Sequence, residues 1–135
     1  LIVGLAAAVQ QAMADRDERH TRLAGLRDQL WNGLKAQLPS VERNGAAAPR
    51  LAHNLNITLP GMSGSRLHRS LRPHLACSSG SACSNGAPSH VLLAIGRSRA
   101  DAEASLRLSL GRSTTADAVA QAIASIVEAV AAQQS

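Results

Sequence analysis

The chain has two cysteines, which lie at the ends of a short run of small and hydroxylic residues, C-S-S-G-S-A-C from Cys77 to Cys83. The thiolate form of cysteine is the nucleophile, so a reactive thiol needs surroundings that favour an anion. Backbone amides in this run, and the start of a helix that Ser89 can cap, would both do so. Residues 77–88 have no regular apolar period, which predicts a surface loop that carries a reactive thiol.

Other interpretations of the cysteines are open. Zinc sites usually pair ligands about two to four residues apart, so the wider spacing of Cys77 and Cys83 does not predict a metal site. A flexible Ser/Gly linker would have a similar composition. His74 or His90 beside Cys83 would make a Cys/His hydrolase, but no sequence rule places either histidine there. The loop therefore indicates thiol chemistry without specifying the reaction.

Composition excludes some classes of function. The 135 residues are 45% hydrophobic and 17% charged, which is typical of one globular domain. The net charge of +5 would permit contact with nucleic acid. Trp31 is the only aromatic residue, however, and stacking on bases needs aromatic side chains, so nucleic-acid binding is not expected. The apolar run at residues 1–9 is too short to span a bilayer, so no membrane contact is expected.

The first 38 residues have the period of a helix. The apolar residues that recur every three or four positions are Ile2, Leu5, Val9, Met13, Leu23, Leu26, Leu30, Leu34 and Leu38. Residues 15–22 are polar on every side, which indicates either a break or a helix that crosses solvent. Pro39 ends the helix.

Strand patterns follow. They occur at residues 41–43, 53–59, 75–77 and 104–110. Asn44-Gly45 predicts a tight turn because both residues tolerate positive φ. In the last strand, Leu106 and Leu108 share one face, so Arg107 should point away from the core.

Three shorter segments are predicted to be helical. They are one after Ser63 that buries Leu67 and Leu71, one at residues 90–95 that ends at Gly96, and a last one with the stripe Val119, Ile123, Ile126, Val127 and Val130. Thr114 and Asp117 resemble a capping box for the last helix. Together the patterns predict an α+β fold with a long N-terminal helix and a small, mostly antiparallel sheet that has helices packed on one face.

Several stretches resemble one known family. SSGSAC at residues 78–83, followed by PSHVL at 88–92, is similar to the active-site loop of the cysteine desulfurases, which are class V aminotransferases that use pyridoxal phosphate. The stretches that agree with the same family are LRDQLWNGL at residues 26–34, NLNI at 54–57 and SLRLSLGR at 105–112, with Thr114 and Thr115 after it. The resemblance covers nearly the whole chain in the right order.

The resemblance implies removal of sulfur from L-cysteine, which leaves L-alanine and a persulfide on the enzyme. Cys83 matches the family's nucleophile, and Arg107 matches the residue that clamps the substrate carboxylate, a task that suits the forked guanidinium. From its pattern alone, Arg107 would equally be a solvated strand residue paired with an acid. Cys77 stands where an aliphatic residue is common, which favours a small buried hydrophobe over a second nucleophile.

The family's Schiff-base lysine and the other residues that bind the cofactor lie in a larger domain that precedes such a segment. Lys35 is the only lysine here, and it lies on the predicted long helix. The resemblance therefore implies that residues 1–38 are a connecting helix from a large domain. Residues 39–135 would be the C-terminal small domain with its active-site loop at 77–88, and pyridoxal phosphate would be bound elsewhere.

A segment of this kind would be inactive alone. The family further implies a cytoplasmic homodimer that passes sulfur to an acceptor protein or to an iron–sulfur scaffold. A free-standing version would instead be a non-catalytic sulfur-relay or binding module that carries a persulfide on Cys83. Both interpretations depend on the same thiol.

Overall fold

The computed structural model describes residues 1–78 and 87–134. In chain order, their elements are α1 (Ile2–Ala14), α2 (Arg16–Gln37), β1 (Glu42–Arg43), β2 (Asn54–Thr58), α3 (Gly64–Leu71), α4 (His90–Ala94), α5 (Arg99–Glu103), β3 (Ser105–Ser109) and α6 (Ala116–Gln134). These helices and strands confirm the predicted α+β class. Most of the loop predicted at residues 77–88, including Cys83, lies outside the described residues.

The N-terminal segment contains two helices where one long helix was predicted. The break is at Asp15, whose φ of −116° and ψ of 17° leave the helical range. Its carboxylate forms ion pairs with Arg19 in the following turn and with Arg112 at 2.7 Å. Asp15 is the first residue of the polar stretch 15–22, so the break is one of the two outcomes that this stretch predicted.

The two N-terminal helices differ in burial. α2 buries Leu23, Leu30 and Leu34, as its period predicted. α1 buries none of its residues, and Ile2 and Met13 are 85% and 72% exposed. Among the described residues, therefore, nothing covers the apolar side chains of α1.

The three strands form an antiparallel sheet in the order β1-β2-β3. Leu55 lies opposite Leu108, and Ile57 lies opposite Leu106. Residues directly opposite each other share a face, and all four of these side chains are buried. The two longer predicted strands, at residues 53–59 and 104–110, are confirmed with slightly shorter bounds.

At Asn44-Gly45, where a tight turn was predicted, the chain leaves β1 and enters the connection to β2, which comprises residues 44–53. Gly45 does have a φ of 79°, as the pair suggested. Asn44, in contrast, is buried, and its side chain donates a hydrogen bond of 2.7 Å to Oδ1 of Asn56. Side-chain hydrogen bonding within the sheet therefore determines the role of Asn44.

The prediction of a short strand at residues 75–77 was wrong. The backbone amide of Leu75 donates to the carbonyl of Leu71 at 2.8 Å, so the turn after α3 still holds this part of the chain. Among residues 75–78, the chain pairs with the sheet at Ser78, through an antiparallel bridge to Arg107. Residues 75–77 therefore form no strand, and the pairing with β3 that the structure describes begins at Ser78.

The core lies between one face of the sheet and helices α2, α3 and α6. Its largest fully buried aliphatic side chains are Leu34, Leu55, Ile57, Leu67, Leu71, Leu106, Ile126, Val41 and Val119. Without phenylalanine or tyrosine in the chain, burial of these aliphatic side chains provides the main driving force for folding.

Most of the predicted helix signals are confirmed. Ser63 and Ser89 accept hydrogen bonds from backbone amides in the first turns of α3 and α4. Gly96 follows α4 with a φ of 92°. The cap of α6 is Thr115, whose hydroxyl accepts from the Ala118 amide at 3.1 Å, so the box predicted at Thr114 began one residue too early.

Gly64, the first residue of α3, lies directly against the backbone at the end of α5. A Cβ atom there would collide with the backbone carbonyl of Glu103. Gly64→Ala should therefore lower the free energy of unfolding of the chain by about 1–3 kcal/mol, measured by urea denaturation. Gly25→Ala is the matched control, because a Cβ at this exposed position in α2 would have no neighbour within 4 Å, and it should raise stability by about 0.5–1 kcal/mol. Equal effects of the two substitutions would contradict the packing at Gly64.

Candidate functional site

Arg107 lies in the middle of β3 with its side chain exposed, between the buried Leu106 and Leu108. This alternation confirms the predicted orientation away from the core. None of the five ion pairs among the described residues includes Arg107. The alternative of a strand arginine paired with an acid therefore has no support in this part of the chain, and the guanidinium can bind an external anion.

The backbone of Arg107 joins the sheet to the start of the cysteine loop. Its amide donates to the carbonyl of Ser78 at 2.7 Å, and the Ser78 amide donates to its carbonyl at 3.2 Å. Ser78 is the last described residue before the stretch that contains Cys83. The structure thus places the beginning of this stretch beside the predicted carboxylate-binding arginine. Cys83 itself lies outside the described residues.

Cys77 is a free thiol that is partly buried against the aliphatic core. Burial raises its pKa above the ordinary value, because desolvation disfavours the thiolate. The thiolate fraction at neutral pH is therefore lower than for an exposed cysteine. Both observations support the interpretation of Cys77 as a small buried hydrophobe.

The raised pKa of Cys77 predicts slow alkylation. In the Cys83→Ser variant of the chain, Cys77 is the one remaining thiol. We expect it to react with iodoacetamide at mildly alkaline pH several-fold more slowly in the folded chain than in the same chain unfolded in urea. Mass spectrometry after timed quenching measures both rates. Equal rates would mean that burial does not protect this thiol.

A buried polar network extends from Asn44, the residue after β1, across β2 and β3. Its Nδ2 donates to Oδ1 of Asn56 at 2.7 Å and to Oγ1 of Thr58 at 2.9 Å. The Thr58 hydroxyl lies 2.8 Å from the hydroxyl of Ser105, which donates to the carbonyl of Asp101 at 2.7 Å. Satisfied buried networks make one strand register favourable, because any slip would leave polar groups unpaired.

Sequence reasoning missed this network. The signal was present in β2, where Asn54, Asn56 and Thr58 occupy alternate positions and therefore one face. Because Asn56 pairs with Arg107 and Thr58 pairs with Ser105, this is also the face of Arg107. The network thus lies on the same face of the sheet as Arg107.

The described residues do not fit a binding site for pyridoxal phosphate. The cofactor is held through a lysine, and Lys35 is the only lysine of the chain. Its ammonium group donates to the carbonyls of Pro39 and Val41 at 2.7 and 3.0 Å, where it stabilises the end of α2. Lys35 therefore has a structural role here.

Residues 1–78 and 87–134 contain no group of three or more His, Cys, Asp or Glu side chains that could hold a metal ion. No helix formed by these residues is long and apolar enough to cross a membrane.

Comparison of sequences identifies relatives of about three times this length. No protein-family model matches the chain. It is 39% identical to the cysteine desulfurase IscS of Shewanella woodyi over 131 residues, which are 96% of this chain and 32% of that protein. It is 43% identical to the IscS-like cysteine desulfurase of Mycobacterium tuberculosis over 133 residues, 96% of this chain and 34% of that protein. The chain thus spans about a third of the length of the curated relatives it matches.

Comparison of folds also matches this chain to about a third of longer proteins. A NifS-like protein superposes with a TM-score of 0.82 and 25% identity, over 96% of this chain and 33% of that one. The NifS-like protein of Rickettsia africae gives a TM-score of 0.79 over 95% of this chain and 33% of its own, and at 24% identity it supports the fold alone. In sequence and in fold, this chain therefore corresponds to a segment of the cysteine desulfurases.

Proposed function

We propose that the chain is the C-terminal segment of a cysteine desulfurase that converts L-cysteine to L-alanine and forms a persulfide on Cys83. The observation that supports this best is the position of Arg107. Its guanidinium has no acidic partner among the described residues, and its backbone is bonded to Ser78, where the chain enters the stretch that contains Cys83.

Arg107 would bind the substrate carboxylate. A guanidinium presents parallel N–H donors that match the two oxygens of a carboxylate, and such charge-assisted pairs are stronger than neutral hydrogen bonds. Because β3 is paired on both sides of this residue, its backbone is held in place before the substrate arrives. A preorganised donor of this kind would fix the orientation of the amino acid.

Cys83 would take the sulfur atom. In the net reaction, L-cysteine and the enzyme thiol give L-alanine and an enzyme persulfide, so no oxidant is consumed. Pyridoxal phosphate, which the family implies, supplies the electron sink when it is bound. The residues that hold this cofactor would lie outside this chain, since Lys35 stabilises the end of α2.

The division into domains, the oligomeric state and the sulfur acceptor are part of the same proposal. Residues 1–38 would connect to a cofactor-binding domain, and residues 39–135 would form the small domain. The exposed apolar side chains of α1 support a neighbouring domain, because no described residue covers them. In this division α2 would connect the two domains while packing on the core of the small one. The complete enzyme would be a cytoplasmic homodimer that passes sulfur to an acceptor or an iron–sulfur scaffold protein, and the segment alone would be inactive.

A sulfur-relay module is the second candidate. It would carry a persulfide on Cys83 without removing sulfur from L-cysteine. A relay needs the thiol but has no use for a carboxylate clamp. Arg107 is exposed and has no acidic partner among the described residues, which favours the desulfurase.

An activity assay tests the proposal. The full-length protein, loaded with pyridoxal phosphate and supplied with L-cysteine and a reductant, should release alanine and sulfide in equal amounts. The same mixture should change the absorbance band of the cofactor, whereas the isolated chain should do neither. Absence of turnover and of the spectral change with the full-length protein would leave the relay as the better account.

A further inference from the structure

We infer that Asn56 is a second binding residue for the substrate carboxylate, with its side-chain amide beside the guanidinium of Arg107. The inference rests on the proposed function and adds a residue to the same site. Asn56 and Arg107 are directly paired across β2 and β3. Directly opposite residues in an antiparallel pair project to the same face with Cβ atoms about 4.5–5.5 Å apart, which is close enough for both to contact one small anion.

The hydrogen bonds of Asn56 determine which way its amide points. Its Oδ1 accepts from Nδ2 of Asn44 at 2.7 Å. With the oxygen directed at Asn44, the Nδ2 group is directed away from the network, and within the described part of the chain it donates to no acceptor. Asn56 is only partly buried, so this amide is accessible. An amide N–H group in this position is a donor for an external acceptor.

The residues behind Asn56 make it rigid. Asn44 is 4% exposed, and Thr58 and Ser105 are almost completely buried. Their hydrogen bonds leave little freedom for the Asn56 side chain, so little conformational entropy would be lost when a ligand binds. The amide and the guanidinium together form a preorganised pair of donors, one neutral and one charged. This chemistry suits a carboxylate, and it would favour substrates with a free α-carboxylate.

Asn54 provides a matched control. It lies on the same face of the same strand, is also partly buried, and pairs with Ser109 instead of Arg107. A general effect of a negative charge on this face of β2 should therefore appear in both Asn56→Asp and Asn54→Asp. An effect on a carboxylate bound at Arg107 should appear only in Asn56→Asp, which keeps the oxygen that accepts from Asn44.

The test uses the full-length protein loaded with pyridoxal phosphate. KM and kcat for L-cysteine are measured, with the dissociation constant of the product L-alanine obtained by calorimetry. Asn56→Asp should raise KM and the dissociation constant by about 10- to 100-fold, because it replaces a donor beside Arg107 by a negative charge that repels the substrate carboxylate. Asn56→Ala, which removes the donor without adding charge, should raise both several-fold. In each case kcat should change little. The melting temperature should stay near the wild-type value in Asn56→Asp and fall modestly in Asn56→Ala, because the buried Asn44 amide then loses one acceptor. Asn54→Asp should leave all four quantities near the wild-type values.

The possible results separate the inference from the proposed function. If Arg107→Gln weakens L-alanine binding and the Asn56 variants do not, the inference is wrong and the proposed function stands. If Asn54→Asp has the same effect as Asn56→Asp, the inference is also wrong. If the wild-type protein neither turns over L-cysteine nor binds L-alanine, both fail. If it binds L-alanine through Asn56 without turnover, the carboxylate site stands and the desulfurase does not.

Discussion

Replacing Cys83 by serine in the full-length protein should reduce the release of alanine and sulfide from L-cysteine by at least about a thousandfold, as removal of an essential nucleophile does in other enzymes. A hydroxyl cannot replace the thiol, because serine is not ionised near neutral pH and forms no persulfide. Binding of L-alanine should be almost unchanged, since the carboxylate would be held by other residues. The assay measures both products under reducing conditions.

Cys77→Ala is the control for this substitution. Cys77 is packed against the core, and burial raises its pKa, so it should contribute packing and no chemistry. Its replacement should leave kcat within about twofold of the wild type, and the cost should appear as a modest loss of stability. If the Cys77→Ala protein were inactive and the Cys83→Ser protein active, the nucleophile would be Cys77 and the assignment to Cys83 would be wrong.

Arg107→Gln should raise KM for L-cysteine by about 100-fold, because hydrogen bonds to a charged partner contribute about 1.5–3 kcal/mol each and a glutamine cannot donate two of them in parallel. Arg107→Lys should recover only part of the affinity, since an ammonium group retains the charge without the planar fork. The stability of the protein should change little, because the side chain of Arg107 is exposed. Steady-state kinetics and thermal unfolding measure these effects.

Arg99→Gln controls for the loss of one positive charge. Arg99 is 74% exposed and pairs with Glu103 within α5, so its removal should change KM by less than about twofold. The account of the site would be contradicted if Arg99→Gln raised KM as much as Arg107→Gln, or if neither substitution changed it.

Local patterns were sufficient to predict much of the fold. The alternation in β2 and β3 follows from burial of one face, so the outward direction of Arg107 could be predicted from Leu106 and Leu108. The caps at Ser63 and Ser89 depend only on neighbouring residues. In each case the physical cause lies within a few positions of the sequence.

Features that depend on distant residues could not be predicted in this way. The polar stretch at residues 15–22 left a break and a continuous helix open, and the ion pair of Asp15 with Arg112, far along the chain, could not be predicted from it. The bridge between Ser78 and Arg107 replaces the strand expected at residues 75–77. The role of Asn44 depends on hydrogen bonds to other strands, so a residue that was assigned to a tight turn proved to be the centre of the buried network.

The helix α5 was missed for a different reason. With five residues it is too short for a hydrophobic period to be recognised. Its capping signal was nevertheless present, because the Ser98 hydroxyl accepts from the Asp101 amide at 3.1 Å. The carbonyl of Asp101 in turn accepts from Ser105 and connects α5 to the polar network behind Arg107. This short helix therefore helps to position the candidate site.

The most direct test of the account is the location of the sulfur atom after one turnover. The full-length protein is mixed with L-cysteine without reductant, and free persulfides and thiols are trapped with an alkylating agent. The protein is then digested, and the masses of its peptides are measured by mass spectrometry. The account predicts that the peptide with Cys83 gains the mass of one sulfur atom and that the peptide with Cys77 does not. Formation of alanine with no added sulfur on Cys83, or with the sulfur on Cys77, would contradict it.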